Sequence, residues 1–402
     1  MIEASLDGSE ADVLRVLGLP SSPAIVCDPN TYDALARRVA KALPNAKVTV
    51  LETPKADDAT VDALIDLTRH ADALIAVGSG TLNDLTKYAG HRRDQPYAVF
   101  ATAPSMNGYV TTTASITQDG EKLSLPARPP KAAYFDLDVL AAAPRRLIQA
   151  GIGDSLCRTT AACDWWLSHQ LFDTTFTETP FAIQAEDEAR LIGRISKLDK
   201  GDLEAVEALV RLLVLGGLGM LIAGSSQPGS QGEHLISHYI DMMQHPHPGS
   251  LHGEQVGLAT RTMAALQHHV VGHDDPPNFA EIKMDTTEMA SRLGRWSTSC
   301  EKALQAKGVS GKRLDALNQR LDANWPTIQA GFKARSLSLS KLKSALDTAC
   351  VAATPGDLGL TSDFYREAVR HARELRDRFT MLDFAAHAGM LDPFIDRHSE
   401  GI

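Results

Sequence analysis

Residues 73–90 read ALIAVGSGTLNDLTKYAG. The apolar run ALIAV has no polar alternation, which describes a strand covered on both faces, and TLNDLTKYAG carries helix signals. Between them Gly78, Ser79, Gly80, Thr81 and Leu82 make a glycine-bearing turn that opens a helix. Backbone N–H groups in such a turn can approach a pyrophosphate, whose charge a helix N-terminus favours. An ordinary tight strand-to-helix turn is the competing reading, because the next glycine is Gly90 and the G-x-G-x-x-G spacing is not met.

The same rhythm extends outward. AIVCD (24–28), TYDALARRVAKAL (31–43), KVTVLE (47–52) and TVDALIDLTRHA (60–71) precede the turn, and YAVFATA (97–103) and AAYFDL (132–137) follow it. Strand and helix signals alternate as in βαβ units, so an open, doubly wound parallel sheet is expected, with ligands at the C-terminal ends of its strands. Beyond Pro144 the texture becomes helical: DSLCRTTAACDWWLSHQL (154–171), LEAVEALVRLLVLGGLGMLI (203–222), GEHLISHYIDMM (232–243) and GEQVGLATRTMAALQHHV (253–270). The expected division is an α/β Rossmann-like domain over residues 1–145 and an all-α domain over 146–402. Turn-rich breaks fall at SSQPGSQG (225–232) and QHPHPGS (244–250). The apolar run LLVLGGLGMLIAG (212–224) is short for a bilayer crossing and reads as a buried helix, its glycines Gly216, Gly217 and Gly219 packing closely against a neighbouring helix. The stretch 278–343 is polar and helical and names no chemistry.

Composition narrows the partners. A chain of 402 residues with 44% hydrophobic content can bury two cores. Its net charge of -10 opposes nucleic-acid or anionic-membrane binding through a basic surface and favours small molecules. The opening MIEASLDGSEAD is acidic where a secretory signal needs basic residues and an apolar core. Five scattered cysteines form no C-x-x-C pair, which fits a reducing cytoplasm.

Three groups of residues can carry chemistry. Asp28, ending its strand, can hold adenosine ribose hydroxyls and repel a 2′-phosphate, or it can cap the helix that follows. After strand YAVFA come Thr102, Ala103, Pro104, Ser105, Met106, Asn107, Gly108 and Tyr109, then Thr111, Thr112 and Thr113. Their small hydroxyl side chains suit a diphosphate or a nicotinamide ribose, and equally suit a solvated turn. The third group is GIGD, whose Asp154 opens an apolar helix, with His234 and His238 on one face of GEHLISH and His252 in LHGEQ. A buried carboxylate is costly unless paired or metal-bound. One carboxylate and two neutral imidazoles leave positions open for substrate on Zn²⁺, Fe²⁺ or Ni²⁺. With fourteen histidines some such grouping arises by chance, and His245 and His247 are rival ligands.

Taken in order, GSGTLNDLTK, TAPSMNGY, GIGDSL, GEHLISH, SLHGEQVG and RDRFTMLDFAAHAGML resemble the glycerol-1-phosphate dehydrogenase family of the iron-containing alcohol dehydrogenase and dehydroquinate synthase-like superfamily, over about residues 20 to 395. The resemblance implies a Rossmann-like N-terminal domain, an α-helical C-terminal domain and an active site in the cleft between them. It assigns Gly78 to Leu82, Thr102, Ala103, Ser105 and Thr111 to NAD(H) or NADP(H), and Asp154, His234 and His252 to one divalent metal, Zn²⁺ first, Ni²⁺ or Fe²⁺ next. His238 and Asn107 would touch substrate. It implies a cytoplasmic homo-oligomer that reduces dihydroxyacetone phosphate to sn-glycerol 1-phosphate. Family members carry Asp where this chain has Asn107, which keeps open a dehydrogenase for glycerol or another polyol, and a nucleotide-binding protein without turnover. A sugar-phosphate cyclase is the further alternative, although such enzymes place Glu at the first metal position where this chain has Asp154.

Overall fold

The computed structural model describes residues 1–20 and 22–397. Eight strands form: β1 (Ile2–Glu3), β2 (Pro23–Cys27), β3 (Lys47–Val50), β4 (Ala73–Gly78), β5 (Tyr97–Ala101), β6 (Thr113–Gln118), β7 (Glu121–Pro126) and β8 (Ala133–Asp136). Six of them make one sheet in the order β1-β8-β5-β4-β2-β3, every neighbouring pair parallel. The five strands expected from the apolar runs are present. β2, β4, β5 and β8 are buried along their whole length, which is why their sequences lack polar alternation. Edge strand β3 is more exposed and reads KVTV.

Two elements escaped the pattern. β1 is two residues long and pairs only with β8. β6 and β7 form a separate antiparallel hairpin through Asp119 and Gly120, both at positive φ. TASITQ and EKLSLP are only partly buried, so neither shows the continuous apolar run that marked the sheet.

The helices that matter below are α1 (Gly80–Arg92), α2 (Arg145–Leu156), α3 (Arg158–Phe172), α4 (Leu203–Ala223), α5 (Gly232–Met243), α6 (His252–Val271), α7 (Gly311–Arg335) and α8 (Met381–His387). Asp154 does not open a helix, as its sequence suggested. It sits in the last turn of α2, which begins at Arg145. Helix α4 starts at Leu203 and is longer than its apolar run. Among the described residues it is the one helix long and apolar enough to cross a membrane by length and composition, and half of its most apolar window is buried in the protein.

The chain divides into two compact units, one of residues Met1–Ser155 with Ile183–Ile222, the other of Leu156–Ala182 with Ala223–Ile402. A single cut at residue 145 therefore differs from the observed division: α2 up to Ser155 and most of α4 belong with the sheet. The sheet unit has a core of Ile25, Val39, Ile75, Val77 and Phe100. The second unit is helical, with a core in which Leu167, Ile236, Tyr239, Met263, Trp325 and Phe384 are buried. None of the five cysteines is in a disulfide.

Candidate active site

In the sheet unit, β2 leads outward to β3, and the chain then returns to build β4 on the other side of β2. That reversal is a topological switch point, where an open α/β sheet binds ligands beyond its strand ends. Val26 pairs with Ala76, so Asp28 and the Gly78–Leu82 turn emerge side by side. On the other flank Gly78 pairs with Ala101, and the Thr102 N–H donates to the Gly78 carbonyl at 3.2 Å. The three stretches singled out in this half of the sequence thus meet along one edge of the sheet.

The turn itself is open for an anion. Ser79 precedes α1 in an extended conformation and its side chain makes no cap hydrogen bond, so the first N–H groups of α1 have no side-chain cap from it. Asp28 behaves differently. It caps the next helix, its carboxylate accepting the Thr31 N–H at 2.7 Å while the Thr31 hydroxyl closes a reciprocal box. The capping role is therefore met, and the half-exposed side chain remains at the switch point.

The Thr102–Thr113 loop is held from below and from the side. Lys87 of α1 is fully buried, and its ammonium donates to the Gly108 carbonyl at 2.6 Å, the Thr113 carbonyl at 3.0 Å and the Thr111 hydroxyl at 3.3 Å. Asp84, one turn earlier, lies 3.8 Å from Lys87 and accepts the Ser115 N–H. Burial pushes the Asp84 carboxyl up and the Lys87 ammonium down, and the attraction between them opposes both shifts. Thr111 is buried with its hydroxyl engaged on the loop's own carbonyls. Tyr109 donates to the Ala103 carbonyl at 2.6 Å.

Two helical glycines complete the support. A Cβ on Gly151 of α2 would lie 1.7 Å from the Pro104 carbonyl oxygen, and one on Gly217 of α4 would lie 2.6 Å from that of Asn107. Gly217 of the apolar run thus accommodates this loop, not the neighbouring helix that the sequence suggested. The same approach lets the Asn107 N–H donate to the Asp154 carboxylate at 2.7 Å. Asp154 itself is only 2% exposed.

In the helical unit, α5 and α6 bring His234, His238 and His252 together. Ring centroids are 5.1 Å apart for His234 and His252, and 6.4 Å from each of these to His238. His234 has its Nδ1 3.0 Å from the Glu233 carboxylate, which can only accept, so Nδ1 carries a proton toward it, and in the neutral ring the lone pair lies on Nε2. Glu233 is fully buried and also accepts the Gln231 N–H and the Thr160 hydroxyl. Burial works to raise its carboxyl, but the His234 hydrogen bond and charge outweigh that and hold it below the usual range. Ligand-type atoms of Cys157, Glu233 and His234 lie within 4.8 Å of one another, and Asp154 precedes Cys157 by three residues. His252 places Nδ1 3.1 Å from the Ser237 hydroxyl.

His238 is different. Its Nδ1 is buried with no hydrogen-bond partner, and burial, then the neighbouring His234, His252 and Arg376, hold its pKa well below the usual imidazole value. A buried ring nitrogen without a protein partner can be met by a bound group or by water. The rivals His245 and His247 are engaged elsewhere, the first with the Met242 carbonyl and the second with Asp241.

Several supporting residues were not found by sequence reading. Lys87 and Asp84 sat inside a motif already quoted, but nothing in their spacing announces burial. Glu233 adjoins His234 and Gln255 lies in LHGEQ, so a search for carboxylate and amide neighbours of candidate ligands would have reached both. Lys307, from the polar stretch without evident chemistry, is buried and donates to Asp383 and to the Arg378 carbonyl, which anchors the segment bearing Arg376 and Arg378.

A parallel sheet whose switch point carries a helix N-terminus without a Ser79 side-chain cap has the form of a dinucleotide-binding domain. Comparison agrees. Residues 1–144 match the family model described as iron-containing alcohol dehydrogenase. Glycerol-1-phosphate dehydrogenase of Bacillus velezensis is 30% identical over 376 residues, which cover 90% of this chain and 84% of that protein. The Pyrococcus furiosus glycerol-1-phosphate dehydrogenase is 36% identical over 261 residues, covering 63% of this chain and 74% of its own. A probable glycerol dehydrogenase from Sinorhizobium meliloti shares the fold, with a TM-score of 0.63 at 18% identity over 97% of this chain and 96% of that one. The chain belongs to the glycerol-1-phosphate dehydrogenase family.

Proposed function

We propose that this protein reduces dihydroxyacetone phosphate to sn-glycerol 1-phosphate with NAD(P)H, using one divalent metal, Zn²⁺ by preference, held by Asp154, His234 and His252. The observation that carries the reading is the pair of imidazoles with committed Nδ1 positions, His234 through Glu233 and His252 through Ser237, beside the unpartnered Nδ1 of His238. Membership of the family supplies the class of substrate.

The donor set fits such a metal: a buried carboxylate and two neutral imidazoles are what a catalytic Zn²⁺ takes when it keeps one position for substrate. When bound, the metal supplies a Lewis acid for the ketone oxygen and the reduced nicotinamide supplies the hydride. The chain's own residues do the rest. Gly78, Ser79, Gly80, Thr81 and Leu82 offer backbone N–H groups to the pyrophosphate, with Thr102, Ala103 and Ser105 along the neighbouring strand end and Asp28 at the ribose, where it favours NAD over NADP. Thr111 acts with Lys87 to hold the loop near the nicotinamide end. His238 is neutral at physiological pH, so it can accept a proton at one ring nitrogen and release one from the other, and it passes the proton the product alkoxide needs. Asn107 hydrogen-bonds substrate as a neutral amide.

Asn107 also favours a second reading, oxidation or reduction of an unphosphorylated polyol or ketone, because a neutral side chain there loses the family's acidic contact. Following NADH and NADPH absorbance with dihydroxyacetone phosphate, dihydroxyacetone and glycerol separates the two. Chelation should abolish turnover, and Zn²⁺ or Ni²⁺ should restore it. Undiminished turnover with no bound metal by elemental analysis overturns the metal mechanism.

A further inference from the structure

His252 sets its Nδ1 against the Ser237 hydroxyl where His234 sets its own against the Glu233 carboxylate, and from that hydroxyl a chain of side chains leads to the QHPHPGS loop. We propose that Asp241, acting through Gln255 and Ser237, positions a proton of His252 on Nδ1 and so leaves the ring's lone pair on Nε2, the atom that would take a metal ion. The proposal rests on the reading of His252 as a ligand.

The assignment follows from donor and acceptor arithmetic. The Gly249 N–H donates to His247 Nδ1 at 3.0 Å, so His247 carries its proton on Nε2 and donates it to Asp241 Oδ1 at 3.1 Å. The same oxygen lies 3.0 Å from Gln255 Nε2. A carboxylate cannot donate, so the amide must present its NH₂ to Asp241 and its carbonyl oxygen to the other side. There Gln255 Oε1 lies 2.7 Å from the Ser237 hydroxyl, which must give it the only proton it has. What remains on Ser237 Oγ for His252 is a lone pair. His252 Nδ1, 3.1 Å away, must therefore donate, so that in the neutral ring the lone pair lies on Nε2.

Asp241 is the deciding member. Gln255 Nε2 also reaches the Ser250 hydroxyl at 3.0 Å, but a hydroxyl could bond either end of the amide and would not choose its orientation. Ser237 and Gln255 are fully buried, so water does not substitute for either. The arrangement gives the histidine-rich loop a role: it is the outer anchor of the ligand, not a source of rival ligands. Outer groups of this kind typically change metal affinity by about 10- to 100-fold when removed.

The test uses the full chain labelled with ¹⁵N-histidine, stripped of metal by a chelator and examined by long-range ¹H–¹⁵N spectra at mildly alkaline pH, alongside Zn²⁺ affinity by competition with a chromophoric chelator. His252 of the wild-type chain should carry its proton on Nδ1. Ser237→Ala should populate the Nε2–H form and weaken Zn²⁺ binding about 10- to 100-fold, and Ser237→Thr, which restores the hydroxyl, should recover most of that. Asp241→Asn, whose amide can face Gln255 with either end, should give a mixture of tautomers and an intermediate loss, and serves if Ser237→Ala fails to fold. A wild-type His252 protonated on Nε2, or an unchanged tautomer in both variants, overturns the proposal. If His252→Ala leaves Zn²⁺ affinity unchanged, the ligand assignment fails instead, and the tautomer spectrum still decides the relay.

Discussion

The loop after β5 and the histidine helices α5 and α6 are both held in place, but by different means. The loop is positioned mainly through backbone: Gly151 and Gly217 remove side chains so that helices can touch its carbonyls, and one buried ammonium gathers two more. The histidines are positioned through side chains, with Glu233 on one ring and a relay through Ser237 on another. On the roles proposed above, the difference has a reason. A loop that meets a dinucleotide largely through backbone N–H groups needs close approach, whereas a metal-ligating imidazole needs its tautomer and ring direction set, here by side chains.

Lys87→Met should break the first arrangement most severely. It leaves Asp84 buried without its cation and releases the Gly108 and Thr113 carbonyls, so urea unfolding should show a loss of about 3 kcal/mol, at the low end for a broken buried pair because Asp84 can protonate. The KM for NADH should rise with it. If stability falls while cofactor affinity does not move, the loop's placement does not depend on Lys87.

Gly151→Ala should come next, at about 2 kcal/mol of destabilisation from the collision with Pro104. Alanine normally stabilises a helix interior relative to glycine by about 0.5–1 kcal/mol. Gly193→Ala, in a helix where an added Cβ meets nothing within 4 Å, is the internal control and should gain roughly that amount. Equal effects at the two sites would remove the close-approach argument.

The last test is read over pH and concerns the side-chain arrangement. Asp164, buried beneath the start of α5, accepts the Gly232 N–H, the Met381 N–H of α8 and the Gln267 side chain. Burial, and then the charge of Glu233, raise its carboxyl from 3.8 to about 8. The folded chain therefore holds a proton that the unfolded chain releases near its ordinary pKa. Its stabilising contribution is complete below about pH 4, and declines by up to ~1.4 kcal/mol per pH unit until pH passes the folded value near 8. Thermal or urea midpoints measured across that window should fall with rising pH, and Asp164→Asn should flatten the trend. A wild-type slope that persists in the variant assigns it to another group.

The sheet was legible because a strand buried on both faces has to be continuously apolar, so AIVC, ALIAV, YAVFA and AYF announce themselves. The hairpin β6–β7 was not, since partial exposure leaves no such constraint. The site histidines could be named from residue type, four-residue spacing and the resemblance carried by the surrounding motifs. Their tautomers could not, because Glu233, Ser237, Gln255 and Asp241 act at hydrogen-bond distance from groups up to eighteen residues away.

By itself, the sequence determined five of the six strands of the sheet, which turn stands at the strand ends, and which family the chain resembles. These depend on periodicity and local composition, and such signals are written along the chain. The tertiary structure alone decided that Asp154 closes a helix, that Lys87 is buried under the loop, and that Gly217 of α4 accommodates a loop. It also decided that His245 and His247 engage the Met242 carbonyl and Asp241. Each of these depends on which distant atoms come within a few ångströms, a distance that packing sets and that no one-dimensional spacing encodes.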